Sequence, residues 1–167
     1  MTPLQGIAMG LVIVLVDASF GEYDGVPDPA GWLLVLWGLV RLRPVLAARR
    51  GLIVLAALCL VVSVVTYAPA VAGRLDESGG WALSLPQLAF SVALAGALAP
   101  VSAELERRLA AMRWVFAALA VAPAVVIGGG VDGLRSPLAF AVAAANVYFV
   151  YLLFRASGPV ATRAKDE

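Results

Sequence analysis

From Gly51 to Ala72 the chain reads GLIVLAALCLVVSVVTYAPAVA, with no charged residue. An apolar run of roughly 18 residues or more is long enough to cross a ~30 Å hydrocarbon core as a helix. Lipid offers no partner to a backbone N–H or C=O, so a run of this length must satisfy them within itself, as a helix. Similar runs recur along the chain. We read six: Leu4 to about Phe20, Pro29 to about Leu42, Gly51 to Ala72, Leu83 to Val101, Arg113 to Val131 and Pro137 to Arg155. The expected fold class is all-α, a polytopic transmembrane helical bundle of about six spans arranged as three hairpins. Residues 1–167 then form a single integral membrane domain.

Composition agrees. The chain is 62% hydrophobic and 14% charged, against about 45–50% and about 25% for soluble domains. Its mean hydropathy is +0.95. The net charge of +1 comes with no basic run of a nucleic-acid-binding kind. The single cysteine, Cys59, excludes an intrachain disulfide, and without histidine no Cys/His metal site can form. Phosphate-cradling and dinucleotide-binding glycine patterns are missing, so no cofactor is expected. The opening MTPLQGIAMG lacks the positive flank of a secretory signal, and the first segment reads as a retained helix. Eleven of the twelve basic residues are Arg, a bias that suggests a GC-rich bacterium.

Helix starts carry local signals. Asp28-Pro29 and Ser136-Pro137 each set a capping side chain before a proline at the first helical position, where its missing N–H costs nothing. Residues 102–113, SAELERRLAAMR, read as a short amphipathic helix along the headgroups, linking spans four and five, with Glu104 and Arg108 spaced to pair. Residues 156–167 read as a polar tail. The second segment is short and must snorkel its arginines or thin the bilayer, so five spans is the main alternative.

Six spans sort the charges. Arg41, Arg43, Arg49, Arg50, Arg107, Arg108, Arg113, Arg155, Arg163 and Lys165 fall on one side, ten of twelve basic residues. The positive-inside rule makes that side the cytoplasm and leaves both termini there, in a bacterial inner membrane. Removing the second span would scramble this order. Seven of the eleven acids fall on the other side: Asp17, Glu22, Asp24, Asp28, Asp76, Glu77 and Asp132.

The acids at the first turn stand in a pattern. Asp17, Tyr23, Asp24, Pro27, Asp28, Gly31, Trp32, Gly38 and Leu39 lie within DASFGEYDGVPDPAGWLLVLWGL. This stretch resembles the opening hairpin of a group of small bacterial polytopic membrane proteins. Those share an Asp near the end of the first helix, an aromatic-Asp pair, then Pro-Asp-x-x-Gly-Trp/Tyr. The resemblance covers about 23 residues and implies a bacterial cell membrane. It implies no activity. An ungapped echo aligns Asp24, Gly25 and Pro29 with Asp132, Gly133 and Pro137. A duplicated hairpin and ordinary turn chemistry both account for it.

Candidate solute-binding residues are Asp17, Asp24, Asp28 and Asp132, with Asn146 deeper in the sixth span. An ionised Asp at a helix centre costs about 2.5–3.5 kcal/mol on insertion scales, and less near the interface. Cap and turn duties compete with function at Asp24 and Asp28, solvation at Glu22, and an interhelical hydrogen bond at Asn146. The acid spacing does not match a calcium loop, and no metal site is expected. Tyr23, Trp32, Trp37, Tyr67, Trp81 and Trp114 read as headgroup anchors. Gly6 and Gly10 offer a close-packing face, as do Ala93 with Ala97 and Ala139 with Ala143. Pro123 should kink its span, and Gly128–Gly130 should end that span loosely beside Asp132.

Three functions remain open. The first is binding or transport of a small polar or cationic solute through an outward acidic vestibule built from the first and third hairpins. The second is a non-catalytic accessory, sensor or assembly subunit. The third, an enzyme acting on lipid headgroups, lacks a histidine and a serine with an evident base. Expected partners are the lipid bilayer and either a second copy of the chain or a larger membrane complex, not nucleic acid.

Overall fold

The structure, a computed structural model, describes residues 1–16, 19–20, 23–24, 28–42, 48–67, 71, 77–101 and 105–163. Among the described residues there are six helices: α1 (Pro3–Leu15), α2 (Asp28–Arg41), α3 (Arg49–Thr66), α4 (Glu77–Leu98), α5 (Glu106–Gly128) and α6 (Arg135–Arg163). A two-residue antiparallel ladder, β1 (Ser19–Phe20) with β2 (Tyr23–Asp24), pairs Ser19 with Asp24 and Phe20 with Tyr23. Four helices, α3 to α6, are long and apolar enough to cross a membrane. Only 22% to 33% of each of their apolar windows is buried within the protein. Leu33, Val54, Val61, Val121, Val125, Phe140 and Val147 are all exposed. Apolar exposure on this scale suits contact with lipid and would be a liability in water.

Several expected boundaries move. The first helix stops at Leu15, where Val16 leaves the helical region (φ −85°, ψ 86°), and Ser19–Phe20 are extended in the ladder. Its start is secured by Thr2, whose Oγ1 accepts from the Gln5 N–H at 3.2 Å while Gln5 Oε1 accepts from the Thr2 N–H at 2.9 Å. Residues 106–113 are not a separate surface helix but the first turns of α5, which runs unbroken to Gly128. The last helix begins at Arg135, one residue before the expected Ser136 cap, and continues to Arg163 through much of the expected polar tail. Good helix formers fill residues 106–113, so nothing in the local chemistry stops α5 there, whereas α6 continues past Gly158 and Pro159, which do not favour a helix. The end of α5 is also more defined than its glycine run suggests. Gly130 takes φ +63° and the Val131 N–H reaches back to the Val126 carbonyl at 3.1 Å, a left-handed cap.

Each helix packs on its neighbours in sequence, and α6 returns to α1. The α1–α2 pair is the closest. A Cβ on Gly10 would sit 2.5 Å from the Gly31 carbonyl oxygen, and one on Gly31 would sit 2.6 Å from that of Gly10. Gly38 meets Pro3 and Ile7 in the same way, so α2 runs antiparallel to α1. The expected glycine face of α1 thus exists, and α2 supplies its counterpart. At the far end of α2, the Arg49 guanidinium donates to the Leu39 and Val40 carbonyls, the Leu39 bond at 3.1 Å. It therefore caps orphan carbonyls from the next helix and brings a cation to the negative end of α2.

The bundle centre is filled by large side chains. Trp32, Phe90, Phe116 and Phe149 are fully buried. Trp32 of α2 meets Phe90 of α4 edge-on at 5.3 Å, and Phe116 of α5 meets Phe149 of α6 edge-on at 5.2 Å. Trp32 is therefore a core residue and not the expected headgroup anchor. Position 32 is one turn into α2 on the face turned to α4, where an indole is large enough to reach across. Trp37 and Trp114 each lie beside an arginine: Arg41 lies 4.5 Å over Trp37 and Arg113 5.1 Å over Trp114. Trp81 has a different task. Pro123 has no N–H to return to the Leu119 carbonyl, which weakens that turn of α5. One residue on, the Ala120 carbonyl accepts the Trp81 indole N–H at 3.1 Å, tying α4 to α5.

Candidate functional site

A cleft of about 200 Å³ lies where the start of α2, the end of α3 and the start of α4 converge. Three helical stripes line it. From α2 come Asp28 and Trp32, spaced i, i+4. From α3 come Cys59, Val62, Ser63 and Thr66, and from α4 come Gly80, Leu83, Ser84 and Gln87. Both sets follow i, i+3, i+4, i+7, the spacing of one helical face. The middle of each of the two longer stripes pairs an apolar with a hydroxyl side chain, Val62 with Ser63 and Leu83 with Ser84. Trp32 forms part of the wall while its ring packs on Phe90. Gly80 helps open the space, since nothing lies within 4 Å of where its Cβ would be.

The hydroxyls are already engaged on one side. Ser63 Oγ donates to the Leu60 carbonyl at 3.0 Å, and Thr66 Oγ1 to the Val62 carbonyl at 3.0 Å. Ser84 Oγ donates to the Trp81 carbonyl at 2.7 Å. Such bonds within one helix let a hydroxyl enter an apolar segment at low cost. Cys59 is a buried free thiol in the same wall.

Of the sequence candidates, Asp28 is the one that the structure brings into this cleft. It heads α2, with Pro29 in the first turn as expected to within one residue. Its neighbours come from α3 and α4, not from the α5–α6 pair that was expected to complete a vestibule. Asp24 belongs to the ladder opposite Ser19, and Asp132 opens a single 3₁₀ turn, Asp132–Leu134, ahead of α6. Asp17 and Glu22 lie outside the described residues. Asn146 is buried in α6, and one of its two Nδ2 N–H groups donates at 2.9 Å to the Val142 carbonyl one turn back in its own helix. Asn146 does not line the cleft. No group of three or more metal-ligating side chains is found among the described residues.

Ser63, Thr66, Ser84 and Gln87 were not singled out from sequence. The signal that could have found them is the pair of polar doublets at i, i+3, Ser63 with Thr66 and Ser84 with Gln87, each inside an apolar run. No known protein family, curated protein or solved structure matches the chain.

Proposed function

We propose that the chain is a small polytopic protein of a bacterial cell membrane that binds a small polar or cationic solute in the cleft between α2, α3 and α4. The observation that carries this reading is the cleft itself. It gathers a carboxylate, three hydroxyls and an amide from three helices, in a chain that is 62% hydrophobic. An ionisable residue such as Asp28 beside apolar helices is costly to insert, and such residues are characteristic of solute paths and binding sites.

On this reading α1 and α2 join the four longer helices as spans, giving three hairpins with both termini in the cytoplasm. At 13 and 14 residues, they reach only about 20 Å by helical rise, so the bilayer thins around them or their flanks complete the crossing. Charge supports the orientation. Arg41 ends α2, Arg49 and Arg50 begin α3, and Arg107 and Arg108 lie in the first turn of α5. Gly96, near the end of α4, meets the Arg113 side chain, so the start of α5 is at the end away from the cleft. The positive-inside rule assigns that end to the cytoplasm, and the cleft opens outward. The filled centre around Trp32 and Phe90 favours a receptor-like or accessory role over a channel, because conduction would require that pair to move apart.

Two measurements test the proposal. In cells producing a Cys59→Ala chain, a cysteine at Glu22 should react with a membrane-impermeant maleimide while the cells are intact. One at Arg107 should react only after lysis; the reverse pattern overturns the orientation. For the site, purified wild-type protein in nanodiscs is screened for thermal shifts with alkali chlorides, small amine hydrochlorides, glycerol and sodium acetate. At least one solute should stabilise wild type and not Asp28→Asn. A flat screen, with Cys59 in wild type closed to a water-soluble thiol reagent, would remove the cleft as a ligand site.

A further inference from the structure

We infer that the face of α5 headed by Arg113 and Trp114 holds an anionic phospholipid, with its phosphate on the arginine and an acyl chain along the helix below. The inference needs α5 to cross the bilayer and does not depend on the cleft. Arg113 closes the polar opening of α5, and the apolar run starts at Trp114. In a spanning helix such a boundary lies at headgroup level. Arg113 is exposed, yet two neighbours hold its side chain in place. Its stem crosses α4 at Gly96, where even a Cβ would lie 3.3 Å from Arg113 Cδ. Its guanidinium lies over the Trp114 ring, 5.1 Å from the centroid. A guanidinium is a planar fork of N–H donors that matches a pair of phosphate oxygens. Among the described residues, no carbonyl or carboxylate accepts from this one. Because the side chain is already placed, little of its freedom is lost when a phosphate docks.

The helix below matches the rest of the occupant. Trp114, Ala118, Val121 and Val125 follow i, i+4, i+7, i+11 on one face of α5, and all four are exposed, Trp114 by 67%. From Trp114 to Val125 the helix rises about 16 Å, roughly half of a ~30 Å hydrocarbon core and so the depth of one leaflet. A free phosphate would use the arginine and ignore this stripe, whereas a phospholipid uses both. Charge selects the headgroup. Among the described residues, Asp24, Asp28, Glu77 and Asp132 sit at the opposite end of the bundle, and Glu106 is the one acid at this end. Glu106 stands two turns before Arg113, about 10 Å away by helical rise, and Arg107 and Arg108 follow it directly. The surplus is positive. It favours a headgroup of net negative charge over a zwitterionic one, whose own ammonium would meet the arginines.

The test is native mass spectrometry of the full chain released from detergent micelles, titrated with dioleoylphosphatidylglycerol or with dioleoylphosphatidylcholine. The first phosphatidylglycerol should bind about fivefold or more tightly than the first phosphatidylcholine. Arg113→Gln should weaken phosphatidylglycerol about fivefold, to the level of phosphatidylcholine. Arg113→Lys keeps the charge but loses the fork, and should weaken it about twofold to threefold. Arg50→Gln removes an exposed arginine at the same end and should change neither lipid. Equal binding of the two lipids by wild type overturns the site. So does an Arg50→Gln loss as large as that of Arg113→Gln, because the summed charge of this end would then suffice. If Arg113→Gln fails to fold, the lysine variant and the wild-type comparison still decide. Glycerophosphoglycerol, the same headgroup without chains, should not displace the lipid at equal concentration. Displacement would overturn the lipid in favour of a soluble phosphate ester.

Discussion

The α1–α2 contact gives a prediction whose sign can be worked out in advance. At Gly31 a Cβ would lie 2.6 Å from the Gly10 carbonyl oxygen, 2.7 Å from Val14 Cγ2 and 3.2 Å from Ile13 Cγ2. Close C···O contacts between helices settle at about 3.3–3.6 Å. Gly31→Ala must therefore push the two helices apart by roughly 0.7 Å or more, because a helical carbonyl cannot turn aside. Overpacking of this kind costs about 1–3 kcal/mol. Alanine returns up to about 1 kcal/mol through helix propensity, leaving a net loss of about 1–2 kcal/mol. Gly51→Ala is the matched control. It makes the same chemical change near the start of α3, where nothing lies within 4 Å of the new atom, so it should be neutral or stabilising by up to about 1 kcal/mol. Gly10→Ala should behave like Gly31→Ala. The double variant should cost less than the sum, since helices already separated by one methyl accommodate the second. The assay is reversible unfolding in mixed detergent micelles, with midpoints compared at constant slope. Gly31→Ala and Gly51→Ala shifting the midpoint in the same direction would refute the claim that backbone contact sets this interface.

Two further contacts can be tested in the same assay. Trp81→Phe keeps the aromatic bulk but removes the donor to the Ala120 carbonyl, and should destabilise by about 0.5–1.5 kcal/mol. In a Pro123→Ala background the loss should shrink as the helix regains its own hydrogen bond, and an unchanged loss would disconnect the indole from the proline. Arg49→Gln should lower stability by about 1 kcal/mol by uncapping the Leu39 and Val40 carbonyls, whereas the exposed neighbour Arg50→Gln should change it little.

Much of the fold was legible because lipid makes one demand above all, that apolar runs of sufficient length be helical. Runs such as 51–66 and 137–155 obeyed it. Boundaries were less legible, because hydropathy marks where a segment tolerates lipid and not where its hydrogen-bond ladder ends. Residues 106–113 are polar enough to read as a surface helix, yet no proline or glycine separates them from the apolar run that follows, so one helix absorbs both. The first segment is apolar well past Leu15, yet Ser19–Phe20 leave the helix to pair with Tyr23–Asp24. Trp32 misled for a related reason. An aromatic at a span end usually anchors at the headgroups, but which face it occupies depends on a helix distant in sequence, and Phe90 lies 58 positions on.

The candidate site was legible only where a residue carries a visible cost. Asp28 drew attention because a carboxylate beside an apolar run is expensive, and the structure sets it in the cleft wall. Asn146 drew attention on the same ground, yet one of its amide N–H groups turns back on the Val142 carbonyl and its side chain does not line the cleft. Ser63, Thr66 and Ser84 escaped notice because they pay their cost locally, each donating its proton to a carbonyl within four residues. That local bond makes a serine nearly invisible to a hydropathy reading, and the same bond turns the hydroxyl into an acceptor toward the cleft. The chemistry that hides these residues in the sequence thus also limits what their hydroxyls can offer the cleft to lone pairs. Polar doublets spaced i, i+3 in apolar helices are therefore better markers of such a wall than isolated acids.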